Sequence, residues 1–242
     1  MSVKIAFVSL FPEHITPWAS SSIIGRAAIR GLIELKSVNP RNFTYDRNNK
    51  VDDTPFGGEP GMLIKAEPVA LAVQSLGWNK PKVILTDPAG KSFQQSDAIR
   101  LSAESELVFL CGHYEGIDDR AAEYLNAERF SIGDYILTSG ELAAMVMADA
   151  IVRNLPGVLG DSNSLSADSH SDGLLSAPNY TKPETWRGIE VPPVLRSGNH
   201  RAIIKWRRQQ ALRITLENRP DLLAKAELSA EDVKLISSPD ET

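Results

Sequence analysis

Three short apolar runs constrain this chain more than any other feature: Lys4–Phe11, Lys82–Thr86 and Leu107–Cys111, each meeting a proline or glycine within two residues. A strand with one wet face alternates apolar and polar residues. These runs are continuous and partly β-branched, the pattern of parallel strands covered by helices on both faces. Helical patterns separate them. Ser22–Leu35 carries Ile23, Ala27, Ile29 and Leu32, and Gln94–Glu106 is a second candidate. Glu141–Arg153, rich in Ala, Met, Leu and Val with an acid at its start, reads as a mostly buried helix. Strands alternating with helices predict an α/β domain over roughly residues 1–159.

The composition then changes. In Gly160–Gly173 the only large apolar residue is Leu165, so residues 160–173 are expected to be a flexible linker. Pro178–Pro193 is turn-rich, Asn199–Asn218 reads as a helix capped by Asn199, and Pro220–Ile236 as a further helical pattern. Residues 174–242 therefore predict a small α-helical unit that is short of core.

Composition removes several function classes. Nothing approaches 18 consecutive apolar residues and no cleavage site follows the first apolar run, so neither a membrane span nor a signal peptide is expected, and the compartment is cytoplasmic by default. One cysteine, Cys111, rules out an intrachain disulfide, and four scattered histidines argue against a transition-metal site. A net charge of −5 argues against nonspecific coating of nucleic acid, though not against a local basic surface. Such a surface is on offer: Arg196, Arg201, Lys205, Arg207, Arg208, Arg213 and Arg219 face a single acid, Glu217, and Trp206 sits among them. That fits RNA-backbone binding or an ordinary solvated helix face.

Four loops are candidates for chemistry. Val51–Met62 holds three glycines and two prolines, which let backbone approach a ligand closely. Thr86–Gly90, Gly112–Asp119 and Ser131–Gly140 each follow an expected strand end, where ligands sit in open α/β sheets. Any one of them could be a plain turn; together they suggest one pocket. No Gly-x-Gly-x-x-Gly is present, and the P-loop pattern fails because Leu85 stands where glycine is needed before Gly90-Lys91-Ser92. Asp161, Asp168 and Asp172 in the linker would ordinarily be solvated acids, and Arg153 a helix-end cation.

Eight strings in order, VDDTPFGGEPGM, LTDPAG, CGHYEGIDDR, SIGDYILTSGEL, RNLPGVLG, DSHSDGLL, PNYTKP and VPPVLRSGNH, make the chain similar to the bacterial tRNA (guanine-N1)-methyltransferase family of the knotted SPOUT class. The resemblance implies a parallel sheet whose backbone is threaded into a deep trefoil knot in the N-terminal domain, with a helical tRNA-binding C-terminal domain. It implies S-adenosylmethionine held by Pro88, Gly112, Tyr114, Glu115, Ser131, Ile132, Gly133, Tyr135, Leu137 and Gly140. It further implies a homodimer and a tRNA substrate methylated on the guanine 3′ of the anticodon, position 37, after another guanine. Asp168 matches the general base and Arg153 the group that stabilises charge on guanine O6. Gly57 and Gly58 match the loop that reads the target, and Asn199, Arg201, Lys205 and Arg208 fall in the segment that grips the anticodon arm. Magnesium dependence is a family expectation, for which Glu115, Asp118 and Asp119 are candidates by charge alone. Three positions depart from the family pattern: Glu59 and Ser139 where glycine is usual, and His113 where arginine is common. A ribose 2′-O-methyltransferase of the same class, or an idle RNA-binding relative, are the alternatives.

Overall fold

The computed structural model describes residues 2–160 and 168–238. It divides into two compact units, Met1–Gly160 and Asp161–Thr242. In the first, a five-stranded parallel sheet has the order β2-β1-β6-β5-β7, with β1 Val3–Val8, β2 Ile33–Val38, β5 Lys82–Ser92, β6 Glu106–Leu110 and β7 Glu128–Ser131. Asp52–Asp53 and Leu63–Ile64 form a small antiparallel pair, β3 and β4. The helices are α1 Thr16–Ala19, α2 Ser22–Ile29, α3 Ala66–Gln74, α4 Gln95–Leu101, α5 Asp119–Tyr124 and α6 Glu141–Val152.

The continuous apolar runs have the expected cause. Along β1, Ile5 and Phe7 enter one core with Phe109, Met147 and Ile151, while Ala6 and Val8 enter a second with Leu110, Val69 and Val73. Both faces of the sheet are covered, so the positions from Ile5 to Val8 are all apolar. One buried carboxylate is tolerated: Ser9 Oγ donates to Glu141 Oε1 at 2.5 Å, joining the end of β1 to the start of α6.

Two expectations change. The helix expected over Ser22–Leu35 stops at Ile29, because Gly31 turns the chain at φ +70° and Ile33–Val38 pairs with β1 as an edge strand. A β-branched segment in reach of a sheet edge outweighs weak helical spacing. The strand expected to end at Thr86 continues to Ser92, its ladder with β7 interrupted between Thr86 and Lys91.

In the second unit a hairpin, β8 Thr185–Trp186 and β9 Ile189–Glu190, precedes α7 Pro193–Arg196, α8 His200–Asn218, α9 Pro220–Leu223 and α10 Ala230–Ser237. Its core is small: buried Leu174, Leu212 and Leu235, packed by Leu223, Ala226, Leu228 and Ile236. Charge supplements it. Arg208 spans Asp232 at 2.8 Å and Asp172 at 2.6 Å, and Ser229 and Asp232 form the capping box that starts α10. This pairing holds the Asp232 carboxyl well below its ordinary range. Among the described residues, no helix is long and apolar enough to cross a membrane.

Candidate active site

Because β6, β5 and β7 are parallel neighbours, their carboxyl ends emerge side by side, and the chain beyond each meets the others. A cavity of ≈ 250 Å³ lies there. All ten residues expected to hold the cofactor line it, from Pro88 in the β5 excursion to Gly140 before α6, together with Thr86, His113, Thr138 and Ser139.

Glycine makes this meeting possible. A Cβ on Gly140 would lie 2.2 Å from Thr86 Oγ1 and 2.8 Å from Gly112 N, and the Gly140 N–H donates to Gly112 O at 2.8 Å. A Cβ on Gly90 would lie 2.5 Å from Phe130 N. Three backbone segments touch, with no room for a side chain between them. Ser131 sets the third loop: its hydroxyl donates to Gly133 O at 3.1 Å and accepts the Gly133 N–H at 3.2 Å. Arg129 bridges Asp87 at 3.2 Å and Asp119 at 2.9 Å, linking the bases of the loops. Tyr114, exposed at the rim, holds φ +60°, a left-handed conformation that costs a non-glycine residue roughly 1–2 kcal/mol.

The loop 51–62 is fastened to the same place. Glu115 N–H donates to Met62 O at 3.0 Å, Ile64 N–H to Gly116 O at 3.0 Å, and Asp118 N–H to Ile64 O at 2.8 Å. Gly61 lies against Glu115, where a Cβ would sit 2.5 Å from Glu115 Cγ. Gly57 and Gly58 stand at the exposed tip, at φ +95° and +80°. Two of the three departures also meet: His113 and Ser139 form an isolated antiparallel bridge, with the His113 ring 4.9 Å from Phe11 and 4.5 Å from Tyr114. The His113 Nδ1 is buried without a hydrogen-bond partner.

The proposed catalytic pair is divided between the units. Arg153 is the C-cap of α6 in the first. Asp168 is half-buried in the second, beside a cavity lined by Ser171, Asp172, Arg207 and Arg208. The end of the predicted linker is tied down: Ser169 and Ser176 hydroxyls are 2.8 Å apart, His170 N–H donates to Leu174 O at 2.7 Å, and Leu174 is buried. Asp161 and Leu165 lie outside the described residues. Asn199 caps α8, its Oδ1 accepting the Ala202 N–H at 3.2 Å. Arg201 and Lys205 lie on exposed α8 surface, whereas Arg208 is occupied by its two carboxylates. Asp118 pairs with Arg120 at 2.6 Å, which lowers its pKa. Among the described residues no three His, Cys, Asp or Glu side chains gather as a metal site.

A parallel α/β sheet with a pocket beyond its strand ends defines the class: an open-sheet α/β protein, an architecture whose ligand sites lie at the carboxyl ends of the strands. The tRNA (Guanine-1)-methyltransferase TrmD family matches residues 3–225, and the chain belongs to that family. It is 48% identical to the tRNA (guanine-N(1)-)-methyltransferase of Dehalococcoides mccartyi, over 97% of this chain and 96% of that one. It is 47% identical to proteins of the same name from Limosilactobacillus fermentum, over 98% and 99%, and Geobacter sulfurreducens, over 95% and 95%.

Proposed function

We propose that the chain transfers the methyl group of S-adenosylmethionine to N1 of the guanine 3′ of the anticodon in tRNA, position 37, with Asp168 as general base and Arg153 stabilising charge on O6. Guanine-N1 methylation of tRNA follows from family membership; position and residue roles are the finer reading. The observation that carries it is the pocket where three strand-end loops touch through glycine, with the 51–62 loop bonded to its rim.

The cradle suits S-adenosylmethionine. Its lining combines glycines with Ile132, Ile136 and Leu137, carries the carboxylates of Asp87 and Glu115 and includes neither Lys nor Arg, which fits a neutral purine and ribose better than a phosphate chain. The cofactor supplies a methyl group made electrophilic by a sulfonium. The protein must supply the nucleophile, because guanine N1 is protonated at neutral pH. Asp168 removes that proton, work that contributes about 10²–10⁴-fold in rate. As the proton leaves, negative charge builds on O6, and the Arg153 guanidinium is suited to stabilise it. Gly57 and Gly58 let the loop backbone approach the target base, and the cations of α8 hold the anticodon arm.

We read the touching loops as a trefoil knot, supported by the crossings at Gly90 and Gly140. A homodimer is supported by Leu142 and Val146, one turn apart on α6, which together with Tyr135 and Ile136 leave apolar surface exposed for a second copy to cover. The test is methyl transfer from labelled S-adenosylmethionine to two tRNA transcripts, one with guanine at position 37 after guanine 36, the other with adenine at 37. Transfer to the first alone is expected. Equal transfer to both would move the target to a ribose or to another base.

A further inference from the structure

The aromatic residue that stands out among the cations of α8, Trp206, is not on the surface. It is 8% exposed, with its ring 6.4 Å from Tyr180. The exposed tryptophan of this unit is Trp186, 57% exposed at the end of β8, opposite Ile189 at 66%. The turn between them is Arg187-Gly188, both at positive φ (51° and 83°), the two-residue geometry that closes a tight hairpin.

This tip is fixed and partly prearranged. Behind it, the Arg196 guanidinium reaches Glu184 at 3.0 Å and Glu190 at 3.6 Å, so one cation holds both arms. At the tip, Arg187 lies over the Trp186 ring, 4.9 Å from its centroid. An indole that lies under a guanidinium and is still more than half exposed is costly to leave so for packing reasons alone. It is the arrangement that stacks an unpaired base and meets its phosphate at once.

Charge selects the partner. Leaving aside Arg208, which its two aspartates hold, residues 178–207 carry six Lys and Arg against two Glu, in a chain whose net charge is −5. Both of those acids are held by Arg196. A hydrophobic protein partner would not need that bias, and a polyanion would.

We propose that the Thr185–Glu190 hairpin is a base-stacking anchor for the tRNA substrate: Trp186 stacks an unpaired base, and Arg187 holds the adjoining phosphate. This rests on the tRNA-methylating reading above and adds a positioning element to it.

The test compares Trp186→Ala, Trp186→Phe and the unaltered full-length protein. Trp186→Ala should raise the KM for tRNA about ten-fold or more, the scale of one lost base–aromatic stack. The fall in kcat should be much smaller, S-adenosylmethionine affinity and oligomeric mass should hold, and Trp186→Phe should recover most of the loss. Independently of catalysis, an RNA stem-loop should quench tryptophan emission in the unaltered protein more than in Trp186→Phe, and a fully paired duplex should not. An unchanged KM, equal quenching by loop and duplex, or a change in oligomeric mass with Trp186→Ala would each overturn the anchor. If the unaltered protein transfers no methyl group to tRNA, the functional reading falls instead, and the quenching comparison still decides whether the hairpin stacks bases.

Discussion

The two units solve the problem of making a site in opposite ways. In the first, the pocket is a consequence of backbone: parallel strands end together, and glycines at 90 and 140 let the loops close on one another above a core buried on both faces of the sheet. In the second, the core among the described residues is small, buried Leu174, Leu212 and Leu235 with Trp206 against Tyr180, and ion pairs and caps position the chain. A backbone-built pocket is tuned by removing side chains, so adding one atom damages it. A charge-built unit is tuned by adding them, so it fails by losing one partner.

The largest expected effect tests the general base proposed above. Asp168→Asn keeps the shape and removes the proposed base, so kcat should fall about 10²–10⁴-fold while S-adenosylmethionine affinity, measured by calorimetry, is unchanged. A loss of cofactor binding instead would mean that Asp168 builds the pocket rather than acting on tRNA.

Next comes the pocket. In Gly140→Ala the new methyl meets the Thr86 hydroxyl and the Gly112 amide, and neither can retreat freely because Thr86 lies within β5 and Gly112 follows the end of its neighbour β6 by two residues. Overpacking of this kind costs about 1–3 kcal/mol. Thermal unfolding should shift down accordingly, and cofactor affinity should fall further than stability does, since the displaced Gly112 lines the cavity. Equal melting temperatures would show that the loops are not in contact in solution.

The contrast also explains what could be read in advance. The doubly covered strands were legible because burial on both faces leaves a one-residue-wide signature in β1, β5 and β6. Edge strand β2 was not: its exposed residues Glu34, Ser37 and Lys36 dilute the apolar pattern, and the decisive Gly31 turn depends on φ alone. The loop glycines could be picked out through a family resemblance, while their mutual contact at Gly140 and Thr86 is a tertiary fact with no local signal. In the second unit the reading of charge was right in sign and misleading in detail. Arg208 is bound by Asp172 and Asp232, and Trp206 is core, because composition cannot say which face of a helix a neighbour will claim.

The ion pair offers a third, smaller effect. The Asp232 carboxyl is nearly buried and held low by Arg208, so its contribution is fully present above its unfolded pKa of about 4 and is lost as pH falls through the lower folded value. Stability should therefore be flat from pH 7 to about 5 on this account and decline below about 4. Asp232→Asn should cost about 2 kcal/mol at pH 7, between exposed and buried pairs, and flatten the acid decline in urea titrations. A variant as acid-sensitive as the unaltered protein would place the acid-labile group elsewhere.

Asn199 gives the smallest effect and the sharpest division between the two kinds of construction. Family resemblance places it in the segment that grips RNA; the structure places its Oδ1 on the Ala202 amide, capping α8. Asn199→Ala should cost about 1 kcal/mol of stability through the cap. Asn199→Ser retains a capping oxygen but loses the amide donors, so the pair separates the roles. If tRNA KM rises in Ala and returns in Ser, the residue acts by starting the helix that carries Arg201 and Lys205. If Ser is as stable as the unaltered protein and its KM stays high, the amide itself touches RNA. The first outcome is expected, because a side chain whose oxygen is committed to a backbone N–H has little freedom to follow a ligand.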